Sequence, residues 1–282
     1  MIIFDFNQVA ISNLMEQIGS SKAPVDETLV RHMILNTIRT YVKKFKDSHG
    51  PEVVIACDNR KYWRRDVFPF YKAMRKKNRE ATGHDWSSIF ECLGKIKQEL
   101  KDHSPYKVID VDTAEADDII AVLAMRYAGS QKVMILSSDK DFAQLQKFPN
   151  VEQYSPILKK FIKEPLPAAQ LKQLIIRGDK GDGIPNILSA DNCIVEGVRQ
   201  KAITEAKIIG WMNQAPEEFC TEDMLRNFKR NEMLIDLTKI PEGLKTTIID
   251  TYESTKGNSR NAFMNYMISN RLKNLIQVFD EF

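Results

Sequence analysis

Nine carboxylates stand at the ends of apolar runs or in short acidic bursts: Asp5, Asp58, Glu115, Asp117, Asp118, Asp139, Asp141, Asp179 and Asp182. Oxygen donors of this kind suit Mg²⁺ or Mn²⁺, whereas zinc asks for His and Cys. The four His and four Cys are scattered and form no CxxC pair. Between Asp58 and Glu115 lies a basic, aromatic stretch, RKYWRRDVFPFYKAMRKKNR (Arg60–Arg79). Arg60–Glu80 holds nine Lys or Arg against two acids. Acids that hold cations beside bases that hold a phosphate backbone point to metal-dependent cleavage of a nucleic-acid phosphodiester.

The acids divide by position. In AEADDIIAVLA, helical geometry puts Glu115 and Asp118 on one face and Asp117 about a third of a turn from Asp118. Such acids also suit the start of a helix dipole, an ordinary structural reading. Ser137-Ser138-Asp139-Lys140-Asp141 and Gly178-Asp179-Lys180-Gly181-Asp182-Gly183 repeat the acidic concentration. One ion is expected at Asp5, Asp58, Glu115 or Asp117, Asp118 and Asp139. A second is expected at Asp141, Asp179 and Asp182, with a carboxylate shared from 115–118. Two Mg²⁺ ions about 4 Å apart would activate water and stabilise the leaving oxygen, with Mn²⁺ as a substitute. Asp139 is then catalytic as well as a ligand.

In the basic stretch, Arg64, Arg65, Lys72 and Arg75 are the first expected phosphate contacts, joined by Lys76 and Lys77. Lys72 and Arg75 are expected on the reacting phosphate. Tyr71 or Trp63 is a candidate to stack on an unpaired base, and Trp63, Phe68 or Phe70 equally to pack the stretch against the body, above all the two Phe. A solvated helix face is the plainer alternative. RGDKGDGIPN (Arg177–Asn186) allows close backbone approach through its glycines but is no P-loop. With Lys201 and Lys207 downstream, it suggests a DNA-gripping helix–turn–helix.

The elements that must position these groups follow from periodicity. Met1–Phe4, Glu52–Cys57, Val108-Ile109 and Lys132–Leu136 read as strands. Helices are predicted from Pro24/Asp26 to Lys46, over Trp86–Asp102 and over Ala114–Tyr127, where Ile119, Ile120 and Leu123 face inward. The alternation favours an α/β sheet covered by helices, with acids at its carboxyl edge. Beyond Pro165 the pattern is helical: Pro167–Arg177, Arg199–Asn213, Thr221–Leu237, Pro241–Tyr252 and Ser259–Phe279. The expected division is a nuclease core over 1–164, its basic region at about 60–85, and a helical DNA-binding region over 165–282 packed on the core.

At 282 residues, with 43% hydrophobic and 28% charged residues, the chain has globular composition. Its net charge of +3 says less about partners than the local basic excess. MIIFDFNQ lacks a signal-peptide pattern, and the apolar runs are far short of the roughly 20 residues that span a bilayer. An intracellular monomer with no membrane contact is expected, and Cys57, at a strand end, is expected to be a buried thiol.

Taken in order, IIFDFNQ, CDNRKYWRRDVFPFYKAMRKKNR, EADDIIA, ILSSDKDFAQL, QYSP and RGDKGDGIPN resemble the flap-endonuclease/5′-nuclease family, within it the RNase H branch of T-even-like tailed phages. The resemblance implies a PIN-like, mostly parallel sheet, an arch over the active site and a helix–three-turn–helix. It implies removal of RNA primers and adjoining DNA from lagging-strand fragments, by 5′→3′ exonuclease and flap-endonuclease action. RNA–DNA hybrid, nicked or gapped duplex, and 5′-flap or forked DNA are the implied substrates. Asp5, Asp58, Glu115, Asp117, Asp118 and Asp139 match the family's first acidic group, and Asp141, Asp179 and Asp182 the second. Lys72 and Arg75 match the basic residues at the arch base. A K⁺ ion held near Gly178–Ile187, a phage single-stranded-DNA-binding protein and a sliding clamp are further implied partners, in the cytoplasm of an infected bacterium. Gly183 and Asn186 stand where the family often has Asn and Gly, which bears on duplex grip. With β-type residues almost from Met1, the longer leader of close relatives is not expected, and a partner contact made there is expected to be absent or relocated. Leu272–Phe282 is open to partner binding or core packing. Two other functions fit parts of the pattern: a structure-specific DNA binder without catalysis, and a phosphatase with Asp5 as nucleophile.

Overall fold

The computed structural model describes residues 1–19 and 24–282. Strands β1 (Ile2–Asp5), β2 (Val53–Ala56), β3 (Lys107–Ile109), β4 (Val133–Leu136), β5 (Val151–Ser155) and β6 (Lys160–Ile162) form one sheet in the order β3-β2-β1-β4-β5-β6. All pairs are parallel except β5 with β6. β1, β2 and β4 are buried along their whole length, which is why they read as unbroken apolar runs.

Helices cover both faces. On one side lie α1 (Phe6–Ile18), α2 (Glu27–His49), α5 (Trp86–His103) and α12 (Arg260–Ser269), packed over Ile2, Phe4, Val53 and Ile55. On the other lie α6 (Ala116–Tyr127) and α11 (Glu242–Ser254), over Ile3, Val54, Ile109 and Ile135. The basic stretch carries the short helices α3 (Trp63–Val67) and α4 (Arg75–Glu80). A separate apolar cluster joins Phe68 and Tyr71 to α7 (Pro167–Arg177), α8 (Glu205–Met212), α9 (Pro216–Phe219) and α10 (Glu222–Ile235). α13 (Lys273–Ile276) leads to the end of the chain, where Leu275 and Phe282 are buried in the first core; the C-terminal segment is packed there.

Several boundaries differ from expectation. α1 is absent from the periodicity reading because Asp5 ends β1 and caps the helix at once, accepting from the Gln8 amide at 3.1 Å. β5 escapes notice because buried Gln153 and exposed Glu152 break the apolar run. Residues 199–204 are not helical: α8 starts after Thr204, whose hydroxyl accepts from the Lys207 amide. The single helix expected over Ser259–Phe279 stops at Ser269, and Arg271 takes a positive φ of 56°.

Candidate active site

Parallel topology brings the acids to one edge of the sheet. Asp5 ends β1, Asp58 follows β2, and Asp139 follows β4 and caps a 3-10 helix (Lys140–Lys147) that carries Asp141. Glu115 is the N-cap of α6 and Asp117 lies in its first turn. Asp58 accepts from the Ala116 amide at 2.7 Å and from Asn7 Nδ2 at 2.5 Å, tying β2 to both α6 and α1. Asp5 accepts from Ser137 Oγ at 3.0 Å, and Ser137 Oγ in turn accepts from the Asp139 amide at 3.1 Å. Gln153, almost fully buried, donates to the carbonyls of Ser137 and Asp139 and holds the strand end in place. Ser137, Gln153, Asn7 and Gln8 are not given a role by the sequence reading, although they lie in ILSSDKDFAQL, QYSP and IIFDFNQ.

These acids feel one another. Burial, then the charges of Asp58 and Asp139, pushes Asp5 up to about 7. Burial, then Asp139 and Asp179, pushes Asp141 up to about 7. Asp117 is held well above the carboxylate range by burial and Asp139, with Lys72 opposing.

A second set of acids is matched by cations. Arg64, 2% exposed, pairs with Glu115 at 2.8 Å and Asp118 at 2.8 Å and donates to the Leu234 carbonyl at 2.9 Å. Asp118 also accepts from Trp63 Nε1 at 3.1 Å and closes a capping box with the Glu115 amide at 2.9 Å. Lys72 pairs with Glu115 and lies 3.6 Å from Asp182. Tyr71 donates to Glu115 at 2.9 Å and Asp182 at 3.2 Å, and Arg75 pairs with Asp182 at 2.6 Å. Burial would raise Glu115 and Asp182, yet Lys72 with Arg64 or Arg75 outweighs it and holds both below the ordinary range. Asp118 remains raised because burial exceeds the pull of Arg64.

The glycine-rich turn completes the cleft. Asp179 accepts from the Gly181 and Asp182 amides at 2.7 and 3.2 Å and pairs with Lys140 at 2.6 Å. Gly183, at φ 75°, lies so close to the Phe70 carbonyl that a Cβ would stand 2.7 Å from it. The Lys72 amide donates to the Asp182 carbonyl at 2.7 Å, and Lys72 takes a positive φ of 55°. Turn and basic stretch are thus locked together by backbone, in a conformation that non-glycine residues adopt at a cost. From below, Asn231 donates to the carbonyls of Ile175 and Pro185 at 2.8 and 2.9 Å. Arg230 adds a bond to the Pro185 carbonyl at 3.0 Å.

All nine sequence-predicted acids therefore join one connected cluster. The predicted bases divide: Arg64, Tyr71 and Lys72 are buried in that cluster, whereas Arg65, Arg75, Lys76, Lys77, Lys201 and Lys207 are exposed. Trp63 is buried as well. Lys140, not predicted, is the partner of Asp179.

The donor set fits hard divalent cations. Asp117, Asp141, Asp179 and Asp182 line the cleft together with Arg64, Tyr71, Ile184, Leu234, Ile235 and Leu237, so its metal-ligating side chains are carboxylates, with no His or Cys among them. Asp141 Oδ1 is buried there without a hydrogen-bond partner, and the raised acids lack sufficient positive charge. Among the described residues, no three Asp, Glu, His or Cys side chains already stand at ligand spacing around one point. Some of the acids turn instead toward Arg64, Lys72, Arg75 and Lys140. Among the described residues, no helix is long and apolar enough to cross a membrane.

Residues 15–173 match the family described as 5′-3′ exonuclease, N-terminal resolvase-like domain. Residues 167–282 match the family described as T4 RNase H, C terminal. The chain is 35% identical to the ribonuclease H of Enterobacteria phage T4 over 290 residues, covering 99% of this chain and 95% of that protein. It is 32% identical to the flap endonuclease Xni of Shewanella sp. (strain MR-4) over 159 residues, 51% of this chain and 56% of that one. The bacteriophage T5 flap endonuclease, solved as a pseudo-enzyme–product complex with DNA and metal ions, shares the fold at TM-score 0.63 and 17% identity, over 90% of this chain and 99% of that one. The T5 D15 protein co-crystallised with metal ions gives TM-score 0.62 at 18% identity, over 89% and 98%. An acid cluster at a parallel sheet edge, joined to family matches along nearly the whole chain, leaves one conclusion: the chain belongs to the flap-endonuclease/5′-nuclease family and is a nuclease of its RNase H branch.

Proposed function

We propose that this nuclease removes RNA primers and adjoining DNA from the 5′ ends of lagging-strand fragments, acting on RNA–DNA hybrid, nicked or gapped duplex and 5′-flap or forked DNA. The observation that carries the reading is the crowding of Asp5, Asp117 and Asp141 around Asp139, whose charge adds to burial in raising all three. Such a cluster is destabilising unless divalent cations share it.

Two Mg²⁺ ions, with Mn²⁺ a substitute, are the proposed cofactors. Asp5, Asp58, Asp117 and Asp139 would hold the first; Asp141, Asp179 and Asp182 the second; Glu115 would serve either, whereas Asp118, expected at the first ion, is fully buried on Arg64 and Trp63. When bound, the ions supply water activation and neutralise charge at the scissile phosphate. The chain's own residues do the rest. Ser137 and Gln153 orient Asp5 and Asp139. Arg64, Trp63 and Asp118 fix the start of α6 so that Asp117 faces the cleft. Lys72 leaves Glu115 for the reacting phosphate and Arg75 leaves Asp182, each exchanging a carboxylate for a phosphate oxygen. Arg65, Lys76 and Lys77 hold the flanking backbone. Cleavage leaves a 5′-phosphate and a 3′-hydroxyl.

On this reading residues 60–85 form the arch of a PIN-like core over 1–164. Residues 167–212 form the helix–three-turn–helix of a DNA-binding region over 165–282, with K⁺ near Gly178–Ile187 and Lys201 and Lys207 on the duplex. A monomer acting in the cytoplasm of an infected bacterium, alongside a single-stranded-DNA-binding protein and a sliding clamp, completes the proposal. The test incubates the protein with 5′-flap DNA and an RNA–DNA hybrid, in Mg²⁺ or chelator. Cleavage in Mg²⁺ alone, abolished in Asp139→Asn with binding retained, is expected. Binding without cleavage in Mg²⁺ would overturn it.

A further inference from the structure

Two aromatic residues carried on the sequence as candidates for base stacking are withdrawn from solvent. Tyr71 has its hydroxyl on Glu115 and Asp182, and Trp63 has its indole on Asp118. A different pair lies nearby, Phe90 exposed and Trp86 half-buried against the first core. Phe90, 45% exposed on the first turns of α5, lies with its ring centroid 5.6 Å from that of Trp86. The Trp86 ring is fixed in orientation, because its Nε1 donates to the Arg79 carbonyl at 3.0 Å and to Thr82 Oγ1 at 2.9 Å. The Arg79 guanidinium stands over both rings, 5.1 Å from the Phe90 centroid and 5.9 Å from that of Trp86. The pair therefore ends a basic track: Arg75 at the cleft, then exposed Lys76 and Lys77, then Arg79. Along a helix, Arg79 lies about 6 Å beyond Arg75, on the order of two stacked nucleotides at roughly 3.4 Å each.

We propose that Trp86, Phe90 and Arg79 form a stacking platform for an unpaired nucleobase of the 5′ strand that enters the cleft. Charge complementarity selects the occupant: Arg75 at the cleft, Lys76 and Lys77 beyond it and Arg79 at the rings form a run of cations that suits a phosphate backbone. Phe90, exposed beside a guanidinium and backed by the oriented Trp86 ring, takes any base by its π-face, so the platform is indifferent to sequence. The proposal rests on the reading of the chain as a nuclease of branched nucleic acid and adds to it a subsite for the unpaired arm.

The experiment measures binding in chelator, so that no cleavage intervenes, to two substrates: a 5′ flap with a long unpaired arm and the same nicked duplex without one. The flap carries 2-aminopurine at successive positions. Phe90→Leu keeps apolar cover but removes the ring, and Trp86→Phe keeps a ring and serves as the conservative control. Phe90→Leu is expected to lower the ratio of flap to flapless affinity roughly tenfold, the worth of one ring–base stack. It should also relieve 2-aminopurine quenching at one or two adjacent positions, while Trp86→Phe retains most of both. An unchanged ratio, or a loss equal on both substrates, would overturn the platform. Because the readout is binding, a wild-type protein that failed to cleave would sink the functional reading and leave this result standing.

Discussion

Asp117 and Asp118 are neighbours in sequence and opposites in circumstance. Asp118 is fully buried, and Arg64 and Trp63 meet its oxygens. Asp117 faces the cleft with Asp139 and Asp5 for company, and Lys72 only partly offsets them. The same contrast divides the site. Glu115, Asp118 and Asp182 lie beside Arg64, Lys72 and Arg75 and help fasten the basic stretch to α6 and the turn. Asp5, Asp117 and Asp141 lie where acids outnumber bases. A carboxylate met by a buried cation has its charge compensated, in part at Asp118 and fully at Glu115 and Asp182, whereas one surrounded by its own kind stores repulsion that a divalent ion can relieve.

The sharpest way to break this contrast is to neutralise one acid of the crowded set. Asp117→Asn is expected to cost several kcal/mol of transition-state stabilisation, about a thousandfold in Mg²⁺-dependent single-turnover cleavage. In chelator the same variant should melt higher than wild type, since a repelling charge is gone. Lower stability with unchanged cleavage would place Asp117 with the compensated acids.

Arg64→Met tests the other set. It leaves Glu115 and Asp118 without a buried partner and is expected to cost about 3–5 kcal/mol in chemical denaturation. A near-neutral result would mean that the Glu115–Asp118 corner does not depend on that ion pair.

The pH dependence of the metal-free protein sharpens the contrast further. Asp5 and Asp141 are raised from 3.8 to about 7 in the folded chain. The folded state therefore holds protons that the unfolded chain has released between these values. Their contribution is full below about 4 and is lost as pH rises through about 7, on the order of a few kcal/mol for each. In chelator the melting temperature should fall from pH 5 to pH 8. Mg²⁺ should restore it at pH 8 and do little at pH 5, and a profile insensitive to both would contradict the crowded-acid view.

Much of the fold was legible because local and tertiary demands agree. The helix expected from Pro24/Asp26 to Lys46 is α2, and the unbroken apolar runs of β1, β2 and β4 marked strands buried on both faces. α7 was predicted with its observed limits, since Pro167 opens it and Gly178, at φ 67°, ends it. Where a polar residue serves the interior, the pattern failed: Gln153 in β5 is buried to bond carbonyls across the strand end, and periodicity reads it as surface.

The chain's own order of residues determined that acids would follow strands and that bases would be gathered in one stretch. Parallel pairing then makes convergence of Asp5, Asp58 and Asp139 almost unavoidable, because each sits at the same end of an adjacent strand. Which acids receive a cation was decided only in three dimensions. Arg64 and Lys72 look like Arg65 and Lys76 in sequence, yet packing of Phe68 and Tyr71 into the helical cluster turns the first two inward and leaves the others in solvent. Charge type is a property of the residue; the dielectric around it and the partner it meets are properties of the fold.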